Sequence, residues 1–79
     1  MENVQWIKCS DGVPNGEDII KNNGDSFWGY FVNQYGETYV DLVGWNSASK
    51  TFETGTSEIV LAWAYLNRPK APHDLIGII

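Results

Sequence analysis

Apolar and polar positions alternate in short runs along this chain, and clusters of Gly, Asn, Asp and Pro break the runs every few residues. Period-two alternation predicts strands. Val4 to Lys8 reads as a first strand, followed by the dense turn chemistry of Ser10-Asp11-Gly12-Val13-Pro14-Asn15-Gly16. Glu17 to Lys21 reads as a short apolar-centred strand that Asn22-Asn23-Gly24-Asp25 ends. Aromatic and β-branched residues dominate Phe27 to Asn33, which predicts a strand. Tyr35-Gly36-Glu37 predicts a hairpin turn, and Thr38 to Trp45 the return strand. Its alternation puts Tyr39, Val43 and Trp45 on one face and Val40 and Leu42 on the other. Asn46 to Lys50 turns again, and Thr51 to Thr54 reads as a short edge strand.

Glu58 to Leu66 fits two templates. Ile59, Ala62, Trp63 and Leu66 have helical spacing, with Ser57 as N-cap. As a strand, the same stretch would turn Ile59, Leu61, Trp63 and Tyr65 inward and leave Ala62 and Ala64 on the other face. Its length and aromatic content favour a central strand. Pro69 ends either version. The expected fold is mainly β. It is a small, twisted antiparallel sheet or half-open barrel of four to five short strands, with one short helix if 58–66 is helical. The expected organisation is a single compact domain over 1–72 and a tail over 73–79. Leu75, Ile76, Ile78 and Ile79 either make that tail a cover for the sheet or leave it dispensable.

Length changes the picture, because 79 residues bury little surface. A single cysteine, Cys9, excludes an internal disulfide, and no spaced Cys/His set holds a zinc. Packing must therefore carry the fold, and 11 aromatics (four Trp, four Tyr, three Phe) supply it. Each removes roughly 150–250 Å² from water. Trp6 and Trp63 are the expected core tryptophans. No run of 18 apolar residues spans a membrane, and MENVQWIKCS lacks the charge and apolar run of a leader, so a cytoplasmic location is expected.

Five basic against ten acidic residues give a net charge of −5, which argues against direct contact with nucleic-acid phosphates. An evenly acidic surface keeps a protein soluble, or faces a basic partner such as a nucleic-acid-binding protein.

Candidate chemistry is sparse. His73, the only histidine, falls in the tail, so nothing is placed to activate Cys9 as a nucleophile. Glu17 and Asp18 in a strand would point to opposite faces, a poor acid/base pair. The glycines match no phosphate-binding fingerprint, and no acidic spacing argues for a metal. No catalytic residue, metal or cofactor is expected.

The cluster Phe27-Trp28-Gly29-Tyr30-Phe31 weighs differently. Phe27, Gly29 and Phe31 share one face; Trp28, Tyr30 and Val32 share the other. A chain this small cannot easily bury both. One face is core, and the other either is covered by the tail or the 58–66 segment, or is a binding face. The expected binding residues are Trp28 and Tyr30, flanked by Asp25 before the strand and Glu37 after it.

Two segments also carry a family likeness. Trp6-Ile7-Lys8-Cys9-Ser10-Asp11-Gly12-Val13-Pro14-Asn15-Gly16-Glu17 resembles the opening of the DUF551 family, W-I-x-x-x-D-x-L-P-x-x-G. Ala62-Trp63-Ala64-Tyr65-Leu66-Asn67-Arg68-Pro69-Lys70-Ala71-Pro72 resembles its close, where an apolar strand meets a tryptophan and a proline-rich exit. The resemblance spans about residues 4–72. Ala62 stands where that family has histidine, and Ala64 and Asn67 replace prolines, so no site is carried over. The resemblance implies a small bacteriophage or prophage protein without an assigned activity. With the composition, it leads to the expectation of a protein that binds a host protein and modulates or inhibits it, in the manner of an anti-CRISPR or other anti-defence inhibitor. The alternative is an accessory or structural domain whose aromatic face takes a ligand or a second copy of the chain.

Overall fold

Phe27, Gly29 and Phe31 are buried while Trp28, Tyr30 and Val32 between them are not, so the strand Ser26–Val32 (β2) has one core face and one outer face. The computed structural model describes residues 4–55 and 57–66. The first strand is Ile7–Lys8 (β1). A helix Gly16–Asn22 (α1) follows, then β2, Thr38–Asn46 (β3), Thr51–Glu53 (β4) and Ile59–Ala64 (β5). The strands form one antiparallel sheet in the order β1-β5-β2-β3-β4, curled into a half-barrel. His73 and the rest of the 73–79 tail lie outside the described residues, as do Asn67 to Pro72.

The β2–β3 hairpin is the centre of the sheet, in register from Ser26↔Gly44 to Val32↔Thr38. Its turn is set by Asn33, whose Oδ1 accepts the N–H groups of Tyr35 and Glu37 at 2.9 and 3.0 Å. Gly36 sits at φ +82°, a conformation that side chains disfavour. Phe27, Phe31, Val43, Trp45 and Trp63 fill the inner face, with Ile7, Cys9, Ile19, Tyr39, Phe52, Val60 and Tyr65 packed around them. The rings of Phe27 and Trp63 meet edge-to-face at 5.3 Å, and those of Trp45 and Phe52 at 4.8 Å. Gly29 lets this core close: a Cβ there would stand 2.9 Å from both the Phe31 ring and a Val43 methyl.

Three expectations are corrected. The first concerns Glu17 to Lys21, which lies in α1 and is not a strand. Asn15 caps the helix with a reciprocal box: its Oδ1 accepts the Asp18 N–H at 2.9 Å, and its own N–H donates to Asp18 Oδ2 at 3.0 Å. Glu17 and Asp18 in the first turn and Lys21 in the last complement the helix dipole. Asn23, at φ 62°, then ends it in the left-handed region.

The second concerns Trp6, which is 41% exposed and not core. Ile7 takes the inner side opposite Trp63, so alternation turns Trp6 and Lys8 outward. The third concerns β5. Glu58–Leu66 is strand, not helix, over Ile59–Ala64, but Ile59 and Leu61 are exposed, and Val60 packs on the core instead. The β2–β5 register slips between Tyr30 and Phe31, from Tyr30↔Ala62 to Phe31↔Val60. Leu61 is the extra residue of that bulge, and the inward set changes parity across it.

Candidate functional site

The outer face of the sheet is built by the residues that alternation denies to the core. Cross-strand pairing arranges them in two rows. Ala64, Trp28 and Leu42 form one; Lys8, Ala62, Tyr30 and Val40 form the other. Trp6, turned the same way as Lys8, packs its ring against Tyr30 at 6.0 Å and an interplanar angle of 57°. Beside this ring pair, over small Ala62, a groove opens. Its volume is 710 Å³, and it is lined by Trp6, Lys8, Tyr30, Val40, Leu61 and Ala62 among others. Tyr30 is 37% exposed, Val40 53% and Leu42 55%. Ala62 and Ala64 are buried beneath their neighbours. The face is thus contiguous and largely apolar, with Lys8 as the charged residue of the groove.

The sequence-derived residues fall on or beside this face. Trp28 is half-buried between Leu42 and Ala64, and Tyr30 stands between Val40 and Ala62. Asp25 precedes β2 and is exposed; its carbonyl accepts the Trp45 N–H at 2.8 Å. Glu37, in the hairpin turn, accepts from Asn33 Nδ2 at 3.0 Å. The two carboxylates sit at opposite ends of the strand, a full β2 length apart, so they bracket the face and do not form a cluster. Trp6, Val40, Leu42 and Leu61 were not singled out for the site. Val40 and Leu42 were legible as the second apolar face of an alternating strand, but the exposure of Leu61 follows from the bulge and has no local signal.

Other chemistry is limited. Cys9 is half-buried, and desolvation pushes its thiol up, away from the reactive thiolate. Among the described residues, no group of three His, Cys, Asp or Glu is placed to hold a metal ion. No described helix is long and apolar enough to cross a membrane.

Two phenols bond carboxylates on the other side of the sheet. Tyr65 donates to Asp18 Oδ1 at 2.5 Å, which ties α1 to the chain after β5, and Tyr39 donates to Glu58. These hydrogen bonds, then desolvation, then the negative charge nearby, push both phenols up to about 12 from an ordinary value of 10.0. The raised values stabilise the protonated, folded form. Their contribution is complete below pH 10 and is lost as pH rises through about 12. Thermal melts across that window should show wild type losing more stability than the Tyr39→Phe/Tyr65→Phe double variant. Equal losses would remove the phenol–carboxylate bonds from the account.

No protein family, curated protein or solved structure matches the chain.

Proposed function

We propose that this chain is a binding protein whose outer sheet face docks a basic partner protein. The observation that carries the reading is the two-row apolar face itself, with Trp28 and Tyr30 at its centre and Val40 and Leu42 exposed beside them. Large aromatics with a polar handle gain most when a partner desolvates them. The net charge of −5 suits a basic partner, which it would steer and orient, while the aromatics supply most of the affinity. The DUF551-like segments around Trp6 and Trp63 support a phage source. The partner is then a host protein whose activity the bound chain alters, and a defence nuclease or its surveillance complex is the most concrete form. A second reading, a small accessory domain, is favoured by the 710 Å³ groove, which has room for an apolar ligand.

Affinity capture from host lysate, followed by measured affinities for the purified partner, tests the first reading. Trp28→Ala and Leu42→Ser should each keep the circular dichroism of a folded sheet. Trp28→Ala should weaken binding by about 30-fold, or about 2 kcal/mol, mainly through faster dissociation. Asp25 and Glu37 variants should slow association and reduce its salt dependence. A folded Trp28→Ala protein that binds the partner at full strength would refute this surface.

A further inference from the structure

β3 is nine residues long and β4 only three, so β4 covers a fraction of the edge it pairs with. In an antiparallel pair, opposed residues alternate between exchanging both backbone hydrogen bonds and turning both groups away. The Trp45 N–H donates to the Asp25 carbonyl, on the β2 side. By alternation Val43, Asp41 and Tyr39 also turn to β2, while Gly44, Leu42 and Val40 turn to the far side. At Gly44 that side is filled by Glu53 of β4. There β4 stops, because the next residues are drawn to Glu58: Gly55 N–H donates to Glu58 Oε1 at 3.3 Å, and Thr54 Oγ1 to its carbonyl at 3.4 Å. Along Thr38 to Val43, β3 has no strand partner on that side among the described residues. The Leu42 N–H is met by a side chain instead, Asp41 Oδ1 at 2.7 Å, a bond that an added strand would replace.

We propose that this open edge receives an extended segment of a basic partner as an added strand, in the place that a longer β4 would take. The inference rests on the protein-binding reading and gives it a geometry. The six open residues match the usual length of a strand. Every second side chain of the added segment would lie on the outer face beside Val40 and Leu42, where an apolar residue extends the exposed rows. The charge along it is of one sign. Glu37 leads into the stretch, and Asp41 lies within it. Glu53 closes it, with its Oε1 2.7 Å from where a Gly44 Cβ would stand, on the same face as Leu42. The described lysines are elsewhere. Lys8 is on β1 at the opposite edge, Lys21 is 3.8 Å from Glu17, and Lys50 is in the β3–β4 turn. A second copy pairing here would set these carboxylates against their own copies, an arrangement that natural edges use to prevent self-association. A segment alternating apolar and basic residues meets both features of the edge.

The probe is the synthetic hexapeptide Val-Lys-Val-Arg-Val-Lys, titrated into the ¹⁵N-labelled full chain. The largest amide shifts are expected at Val40, Asp41 and Leu42, with at least tenfold slower hydrogen exchange at Val40. The counterpart Val-Glu-Val-Glu-Val-Glu should leave them unmoved. Asp41→Asn, which keeps an acceptor for the Leu42 N–H and removes the charge, should weaken the basic peptide several-fold. Val40→Pro removes a donor that points away from β2, so a folded variant should lose the interaction. Shifts confined to Trp6, Tyr30 and Ala62 would overturn strand addition and leave the outer-face reading standing. No response anywhere at about 1 mM peptide would overturn strand addition, while the outer-face reading stands or falls on Trp28→Ala and the captured partner. Val40 exchange already slow in the free protein would also overturn the proposal. If it depends on protein concentration, the occupant is a second copy. If truncation after Pro72 releases it, the occupant is the chain's own tail.

Discussion

Trp63→Ala should cost about 3–5 kcal/mol, a large share of what holds a domain of this size folded. The side chain is 2% exposed, meets Phe27 edge-to-face at 5.3 Å and stacks on Tyr65 at 6.1 Å. Its Nε1–H donates to the Gly12 carbonyl at 2.9 Å, so one residue joins the sheet to the loop that leads into α1. Removing a buried tryptophan costs about 3–5 kcal/mol in lost transfer and cavity terms. A domain of this size has a total stability of roughly 4–12 kcal/mol. Trp63→Phe keeps most of the ring packing and drops the indole bond, so about 1–2 kcal/mol is expected. Trp6→Ala is the contrast. Trp6 is exposed and touches Tyr30 at 6.0 Å, so its loss should cost about 1 kcal/mol or less. Urea unfolding followed by far-ultraviolet circular dichroism orders the three variants. An unchanged midpoint for Trp63→Ala, or an equal fall for Trp6→Ala, would sink the core assignment.

That contrast shows where alternation was readable and where it was overridden. The β2–β3 hairpin carries its register in its side chains. Phe27 and Phe31 go in, Tyr30 goes out, and Val43 and Trp45 go in while Val40 and Leu42 go out. Trp6 obeys the same rule through Ile7, but its size and apolarity argue for burial, and a two-residue edge strand gives alternation little to work on. On β5 the rule fails between Leu61 and Ala62 because the extra residue is set by pairing with β2, a contact remote in sequence. In α1 the Ile19-Ile20 pair looks β-like. The helix signal was the Asn15…Asp18 box, which uses Asp where Glu or Gln is more usual.

The candidate site was legible in the same uneven way. An aromatic strand with two apolar faces in a short chain leaves its second face either covered or free, and Trp28 and Tyr30 lie on that outer face. The open β3 edge was present as a mismatch of lengths, with a long return strand followed by a three- or four-residue one. Neither pattern says which backbone groups face outward. That depends on the hydrogen-bond phase of the ladder, fixed here by the Asp25–Trp45 bond.

Asn22→Asp should be as damaging as the loss of a core aromatic, although it changes one atom and almost no volume. Asn22 is a polar residue buried to 2% exposure at the end of α1. Its Nδ2 donates to the carbonyls of Gly24 and Ser26, each at 2.8 Å, and its Oδ1 accepts the Leu66 N–H at 2.8 Å. One amide thus holds the α1–β2 turn and the chain leaving β5, and both its donors are used. A carboxylate keeps the acceptor for Leu66 but turns a second oxygen toward two carbonyls, with no hydrogen between them. Unpaired buried groups cost about 1–3 kcal/mol each, and a buried charge more, so about 3–5 kcal/mol is expected at neutral pH. The sign of the pH dependence separates this from simple truncation. Burial among acceptors raises the folded-state pKa of the new carboxyl above its unfolded value of about 3.9. The penalty is therefore smallest in acid, where both states are protonated, and grows as pH rises from about 4 toward 7. Asn22→Ala loses the same three bonds without a titrating group, so its deficit relative to wild type should stay flat over that range. Urea midpoints for both variants between pH 4 and 7 decide it. A pH-independent deficit for Asn22→Asp would mean that water reaches the amide and that the three bonds are not its role in the fold.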